Sequence, residues 1–129
     1  MTYLLVAIGS ALGGVARYWC SLLVGGMTSS VFPWGTLAVN VVGSGLIGVA
    51  FAAIEPGSRW QWASANRDFV NQFFMIGALG GFTTFSSFSL QTLELLRTEH
   101  WLQAGANVLG SLLLCIASVL IGYWLTARA

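Results

Sequence analysis

The third hydrophobic segment of the chain concentrates small and hydroxyl-bearing residues in a way that could bind ions. Residues 77–89 read GALGGFTTFSSFS, in which Gly80 and Gly81 are followed by a Thr-Thr pair and a Ser-Ser pair. Such a segment is a poor continuous helix, because adjacent glycines and β-branched threonines weaken one. Backbone released from a helix cannot face lipid, so it must be covered by protein or line a polar cavity. There it can offer carbonyl groups to cations and amide groups to anions.

The hydrophobic segments also hold many neutral hydrogen-bond donors. Hydroxyl and amide groups turned toward a pore can replace the hydration shell of a small anion without placing a full charge in the membrane. Aromatic ring edges carry partial positive charge, and Phe85 and Phe88 lie three residues apart, which places them on one helix face. On spacing alone, packing is the commoner role of such a pair. The donors are Thr36, Asn40, Ser44, Thr83, Thr84, Ser86, Ser87, Ser89, Gln91, Asn107 and Ser111.

Two polar residues inside apolar runs, Arg17 and Asn40, have two interpretations each. An arginine at the centre of a membrane helix costs about 2.5–3.5 kcal/mol, so Arg17 should face a vestibule or extend to the interface. Its functional interpretation is attraction of anions, and its structural one is an interfacial anchor. Asn40 could contact an ion or join two helices by a hydrogen bond, and taken alone it favours the second role.

No arrangement typical of an enzyme or a cofactor site is present in the sequence. The acids Glu55, Asp68, Glu94 and Glu99 all lie at the ends of apolar runs or between them, and His100 has no plausible catalytic partners. Cys20 and Cys115 fall inside apolar runs, where free thiols are expected. The net charge of +1 provides no field that would gather nucleic acid.

Composition places these residues in a membrane protein. Of 129 residues, 57% are hydrophobic and 7% charged, and the mean hydropathy is +0.80. A membrane helix needs about 20 apolar residues, and we predict a single all-α membrane domain over residues 1–129, with spans at about 3–25, 35–54, 69–96 and 101–126. The N-terminal run lacks a basic leader and is predicted to be a retained span. Glycines four residues apart, at Gly9 and Gly13 and at Gly77 and Gly81, predict close helix packing.

Three motifs together resemble the CrcB or Fluc family of fluoride channels over essentially the whole chain. They are residues 13–17 (GGVAR), residues 35–40 (GTLAVN) and residues 80–89 (GGFTTFSSFS). The last motif is the most specific. The resemblance implies a third helix broken in mid-membrane and an antiparallel homodimer of dual topology with two separate fluoride pores, located in the bacterial inner membrane.

The resemblance also implies roles for individual residues. The backbone carbonyls of Gly80 and Thr83 would hold a structural sodium ion, Na⁺, at the dimer interface. Other residues would form the fluoride pathway: Asn40, Phe85 and Phe88 as lining, Ser86, Ser87 and Ser111 as a hydroxyl track, and Thr36 and Arg17 near the path or its vestibule. Family members often carry Glu where this chain has Gln91, so an altered rate of conduction is expected.

The expected function is passive export of fluoride, which protects the cell from its toxicity. The arginines are divided almost evenly between the two sides. Arg59, Arg67 and Arg128 lie on one side and Arg97 on the other, and counting Arg17 with Arg97 gives a three-to-two balance that is compatible with insertion both ways. Two alternatives remain open. A proton-coupled small-molecule exporter would need a membrane-buried acid, and a non-transporting assembly subunit would explain the glycines but not the clustered hydroxyls.

Overall fold

The computed structural model describes residues 1–28 and 30–128, and every regular element in that part of the chain is helical. Four helices there are long and apolar enough to cross a membrane, and we call them the first to fourth spans: Thr2–Gly26, Trp34–Ala53, Arg67–Arg97 and Trp101–Arg128. A short helix, Gln61–Ala65, lies between the second and third spans. The predicted all-α class with four spans is confirmed for the described residues, and each predicted boundary lies within two residues of a helix end.

Local sequence explains where two of the spans begin. Pro33 directly precedes the second span and lacks the backbone N–H that a helix start would leave unpaired, and the rings of Phe32 and Trp34 pack with centroids 4.6 Å apart beside it. Between the third and fourth spans, Glu99 adopts a left-handed backbone with φ of 61°. This reversal lets the N–H of His100 donate to the carbonyl of Leu95 at 2.8 Å. The fourth span therefore returns directly alongside the end of the third.

The third span consists of three kinds of backbone. Arg67–Phe69 is α-helical, Val70–Leu79 is a π-helix and Gly80–Phe82 is again α-helical. Thr83 and Thr84 then have extended backbone, with φ and ψ of −80° and 157° and of −151° and 116°. The α-helix Phe85–Arg97 follows. Ten residues of π-helix are unusual, since this conformation is normally confined to single turns.

Glycines bring the spans together in two seams. In the first seam, a side chain at Gly9 or Gly13 would overlap the backbone carbonyls of Phe73 or Ala78, so the first and third spans pack backbone to backbone. In the second seam, Gly48 lies against the carbonyl of Val119 on the fourth span. Ser118 adds an interspan hydrogen bond there, donating to the carbonyl of Val41 at 2.8 Å. The glycine spacing thus serves packing, as predicted.

Large apolar side chains point outward over much of the surface of this single chain. Leu102 is 85% exposed and Phe85 is 78% exposed, and many leucines of the first and fourth spans are more than half exposed. About half of the buried positions belong to glycine and alanine, for example Gly43, Ala52 and Ala104. This inversion of the usual soluble pattern fits a chain whose outer surface meets lipid or another apolar surface.

Candidate functional site

The extended pair Thr83–Thr84 lies against the second span, where Asn40 binds both backbone groups of Thr84. The N–H of Thr84 donates to Oδ1 of Asn40 at 2.8 Å, and Nδ2 of Asn40 donates to the carbonyl of Thr84 at 3.0 Å. Because the N–H of Thr84 can only donate, these contacts also decide which side of the Asn40 amide carries the oxygen. The amide keeps a second N–H that is not used in this pair. Asn40 therefore joins two helices, and its second N–H has no partner among the residues that the structure describes.

Thr84 starts the following helix with its own side chain. Its Oγ1 accepts a hydrogen bond from the N–H of Ser87 at 3.2 Å, which is the usual arrangement at a helix N-terminus. The same hydroxyl donates to Oγ of Ser87 at 3.1 Å and lies 3.3 Å from Oγ of Ser86. With its single proton given to Ser87, the Thr84 hydroxyl can only accept from Ser86. Two of the three serines of the predicted hydroxyl track, Ser86 and Ser87, are thus connected to the start of this helix.

The carbonyl groups just before the extended pair are free of helical partners. The N–H of Thr83 donates to the carbonyl of Leu79 at 2.9 Å, and its Oγ1 donates to the same oxygen at 3.0 Å. No residue that the structure describes donates to the carbonyls at positions 80–83. Free carbonyls at the C-terminal end of a helix carry partial negative charge and suit a hard cation such as Na⁺. The donor set at Gly80 and Thr83 therefore fits the ion that the family resemblance implies.

A cavity of about 580 Å³ opens beside the extended pair, between the second, third and fourth spans. It brings together six of the predicted site residues, namely Asn40, Gly80, Thr83, Phe85, Phe88 and Ser111. The rings of Phe85 and Phe88 have centroids 5.3 Å apart and are tilted by 47° to each other. The remaining lining is Gly43, Ser44, Ile47, Leu79, Thr84, Val108, Leu112, Cys115 and Ile116, with no charged side chain among them.

The other predicted site residues lie outside this cavity. Arg17 is half-buried on the first span, and Thr36 is 7% exposed near the start of the second. Ser86 is exposed and Ser87 is half-buried. A single chain therefore collects the aromatic pair, the amide, the two carbonyl residues and one serine of the predicted set, and leaves the arginine, the threonine and two serines elsewhere.

A chain of hydrogen bonds holds the turn that carries Phe88 against the fourth span. Nδ2 of Asn107, which is 1% exposed, donates to Oγ1 of Thr92 at 2.9 Å, and that hydroxyl donates to the carbonyl of Phe88 at 2.8 Å. On the same turn, Oε1 of Gln91 is buried and has no hydrogen-bond partner among the described residues. An ionised carboxylate at that position would cost more to bury than the amide does.

Sequence reasoning did not single out three residues that shape the site. Thr84 was predicted only as one donor among many, although a threonine just before an amphipathic run is a recognisable helix-start signal. Gly43 and Cys115 line the cavity, but a glycine or cysteine within an apolar span gives no signal by itself. The position of Gly43 three residues after Asn40 is the only hint, since it places both on neighbouring turns of the same face.

None of the acidic residues lines the cavity. Glu55, just beyond the second span, accepts hydrogen bonds from the hydroxyl of Tyr123 at 3.2 and 3.3 Å. Within residues 1–28 and 30–128, no group of three or more His, Cys, Asp or Glu side chains could hold a metal ion. The cavity therefore has no charged side chain in its lining that could bind an ion. The polar residues that line it bear neutral side chains, and Gly80 and Thr83 add backbone carbonyls without helical partners among the described residues.

The amino-acid sequence is similar to those of known proteins over nearly its whole length. The chain is 48% identical over 123 residues to the fluoride-specific ion channel FluC of Paramagnetospirillum magneticum, covering 95% of this chain and 93% of the relative. It is 52% identical over 121 residues to FluC of Opitutus terrae, covering 94% and 89%, and 46% identical over 123 residues to that of Methylocella silvestris, covering 95% and 91%. The family model described as CrcB-like protein, Camphor Resistance (CrcB), matches residues 4–123, and the chain belongs to this family.

Proposed function

We propose that this protein is a fluoride-selective ion channel that exports fluoride passively across the bacterial inner membrane. The observation that carries the proposal is a cavity with neutral donors and aromatic rings but no charged side chain, beside an interrupted helix, in a chain about half identical to curated fluoride-specific channels. The absence of charge from the lining matters because a carboxylate would repel the anion, and a fixed cation would hold it too tightly for release.

The hydrogen bonds of the site indicate which donors are free to meet the anion. The hydroxyl of Thr83 already donates to the carbonyl of Leu79, and the hydroxyl of Thr84 donates to Oγ of Ser87. The second N–H of Asn40 and the hydroxyl of Ser111 make no such bond within the described residues, and both groups line the cavity. Together with the ring edges of Phe85 and Phe88, they would replace the water around fluoride as it passes.

The same proposal gives the remaining residues of the pathway supporting roles. Ser86 and Ser87 would extend the line of hydroxyls along the helix that starts at Thr84. Arg17 and Thr36 would attract or orient the anion nearer the vestibule, outside the cavity of the single chain. Arg17 carries a full positive charge, so it suits the wider and wetter end of a path better than its narrow part.

The free carbonyls suggest a separate role for sodium. We propose that Gly80 and Thr83 bind a structural Na⁺ through their backbone oxygens, and that a second, antiparallel copy of the chain supplies the same two oxygens from the other side. Gly80 is exposed in the single chain, which leaves its oxygen within reach of such a partner. When bound, the ion would neutralise the carbonyl dipoles that the interrupted helix leaves unpaired in mid-membrane. An antiparallel pair in one membrane would require dual topology, and the weak arginine bias is compatible with it.

Conduction of this kind needs no energy source. Hydrogen fluoride that enters a cell ionises at neutral pH, and the trapped anion leaves through the pore. An inside-negative potential favours its exit by about 2.3 kcal/mol per 100 mV.

The proposal is tested by efflux from liposomes that contain only the purified protein, followed with fluoride and chloride electrodes. We expect rapid release of fluoride and retention of chloride. Equal release of the two ions, or release of neither, would reject a selective channel. Phe88→Ile should slow fluoride release while the protein remains assembled, and Phe51→Ile, on an exposed part of the second span outside the cavity, serves as the matched control.

A further inference from the structure

The second span has a notch opposite the extended pair, and Gly43 forms it. A side-chain carbon built at Gly43 would overlap the Cγ2 methyl of Thr83 and lie 3.2 Å from Cδ1 of Phe82. The methyl group of Thr83 therefore occupies the space that any other residue at position 43 would need. Gly43 is buried and lines the cavity.

This glycine differs from the others on its span. A side chain at Gly35 would meet the backbone of Ser21 on the first span, and side chains at Gly45 and Gly48 would meet Ser118 and Val119 on the fourth. Those positions serve helix packing. Gly43 alone among the four faces the extended pair, and its nearest neighbour is a side chain that adjoins the proposed ion site.

The notch acts on a residue that is already held at two other points. The hydroxyl of Thr83 donates to the carbonyl of Leu79 at 3.0 Å, and the next residue, Thr84, is bound at both backbone groups by Asn40. With the methyl group in the notch and the hydroxyl on Leu79, a single rotamer of Thr83 satisfies both contacts. The peptide between Thr83 and Thr84 has little freedom left, and its oxygen is the carbonyl of Thr83.

We propose that Gly43 is a positioning residue for the Thr83 carbonyl. The absence of a side chain at position 43 seats the extended pair against the second span and sets the direction in which this carbonyl faces. The inference rests on the proposed function, because it assigns to Gly43 the geometry of the group that would bind Na⁺.

The test uses a pair of substitutions that differ by one methyl group. In the liposome assay, Gly43→Ala should slow fluoride release by about tenfold or more, since a displacement near 1 Å is enough to impair a preorganised site. Adding Thr83→Ser removes Cγ2 and keeps the hydroxyl that bonds Leu79. The double variant should therefore regain release to within about threefold of Thr83→Ser alone.

A second readout separates positioning from general packing. Fluoride release is measured as a function of sodium concentration. The Na⁺ concentration that gives half-maximal release should be about tenfold higher for Gly43→Ala than for the native protein, and the double variant should reverse this shift. Gly25→Ala, at a position with open space around it, should leave both quantities unchanged.

The outcomes distinguish the two proposals. If the native protein releases no fluoride, the proposed function fails, whatever the variants do. If the native protein conducts and Gly43→Ala conducts equally well with the same sodium dependence, the positioning role is overturned. The same holds if Gly43→Ala is impaired or fails to fold and Thr83→Ser does not restore it, because the overlap with Cγ2 is then not the cause.

Discussion

Replacing Asn40 with alanine removes two hydrogen bonds whose partners have no helical alternative. The N–H and carbonyl of Thr84 bond Asn40 at 2.8 and 3.0 Å, and Thr84 is 7% exposed, so neither group would be satisfied by solvent. Leaving one buried backbone group unpaired costs about 1–3 kcal/mol. The two losses together should lower the free energy of unfolding by about 2–6 kcal/mol.

Ser118→Ala is the matched control, because it also removes an interspan hydrogen bond from a side chain to a backbone carbonyl. The carbonyl of Val41, which accepts at 2.8 Å from Ser118, lies inside the second span and keeps its own helical partner. Only the extra bond is lost, and such bonds average about 0.6 kcal/mol in membrane helices.

The assay is reversible unfolding in mixed micelles at one fixed protein concentration, followed by tryptophan fluorescence and circular dichroism. Asn40→Ala should be destabilised severalfold more than Ser118→Ala. If the two variants lose equal stability, or the alanine at position 40 loses less, then the backbone of Thr84 does not depend on Asn40 and the reasoning is refuted.

Three further predictions follow from other features of the site and fold. Ser111→Ala should slow fluoride release by about tenfold with unchanged stability, since it removes an unpaired donor from the cavity; an unchanged rate would remove this hydroxyl from the path. Glu99→Gly should raise the free energy of unfolding by about 1 kcal/mol, because Glu99 has φ of 61°, and a loss of stability would show that its side chain does more. Gly48→Leu should abolish the folded protein, because a side chain there overlaps the carbonyl of Val119; native-like gel filtration and circular dichroism would contradict this.

Hydropathy and interfacial residues were sufficient to predict the spans, since the lengths of membrane helices are dictated by bilayer thickness. The glycine and hydroxyl pattern at residues 77–89 likewise contains the extended pair, because adjacent glycines followed by threonines weaken a helix wherever they occur. The π-helix Val70–Leu79 was not predicted. Its sequence, VNQFFMIGAL, contains nothing that distinguishes i→i+5 from i→i+4 hydrogen bonding.

The sequence could predict the role of a site residue only where the chemistry of its side chain determines that role. Asn40 shows the limit: sequence reasoning offered helix–helix contact or ion contact as alternatives, and one amide has the groups for both, because it donates one N–H to Thr84 and keeps another beside the cavity. The placement of Arg17 outside that cavity could not be predicted, because it depends on how the first span rotates against the third. Gly43 has no side chain from which a role could be predicted. Its proposed positioning role can be inferred only from the structure, which places the Thr83 methyl group against it.

The two glycine seams have a consequence for how the chain is made. They pair the first span with the third and the second with the fourth, so the most extensive contacts join helices that are not consecutive in sequence. As the polypeptide emerges from the ribosome, the first two helices enter the bilayer before the helices with which they pack most extensively have been made. Neither pairing can close until the later helices arrive, and biogenesis of this interleaved bundle must end with the insertion of its last helix.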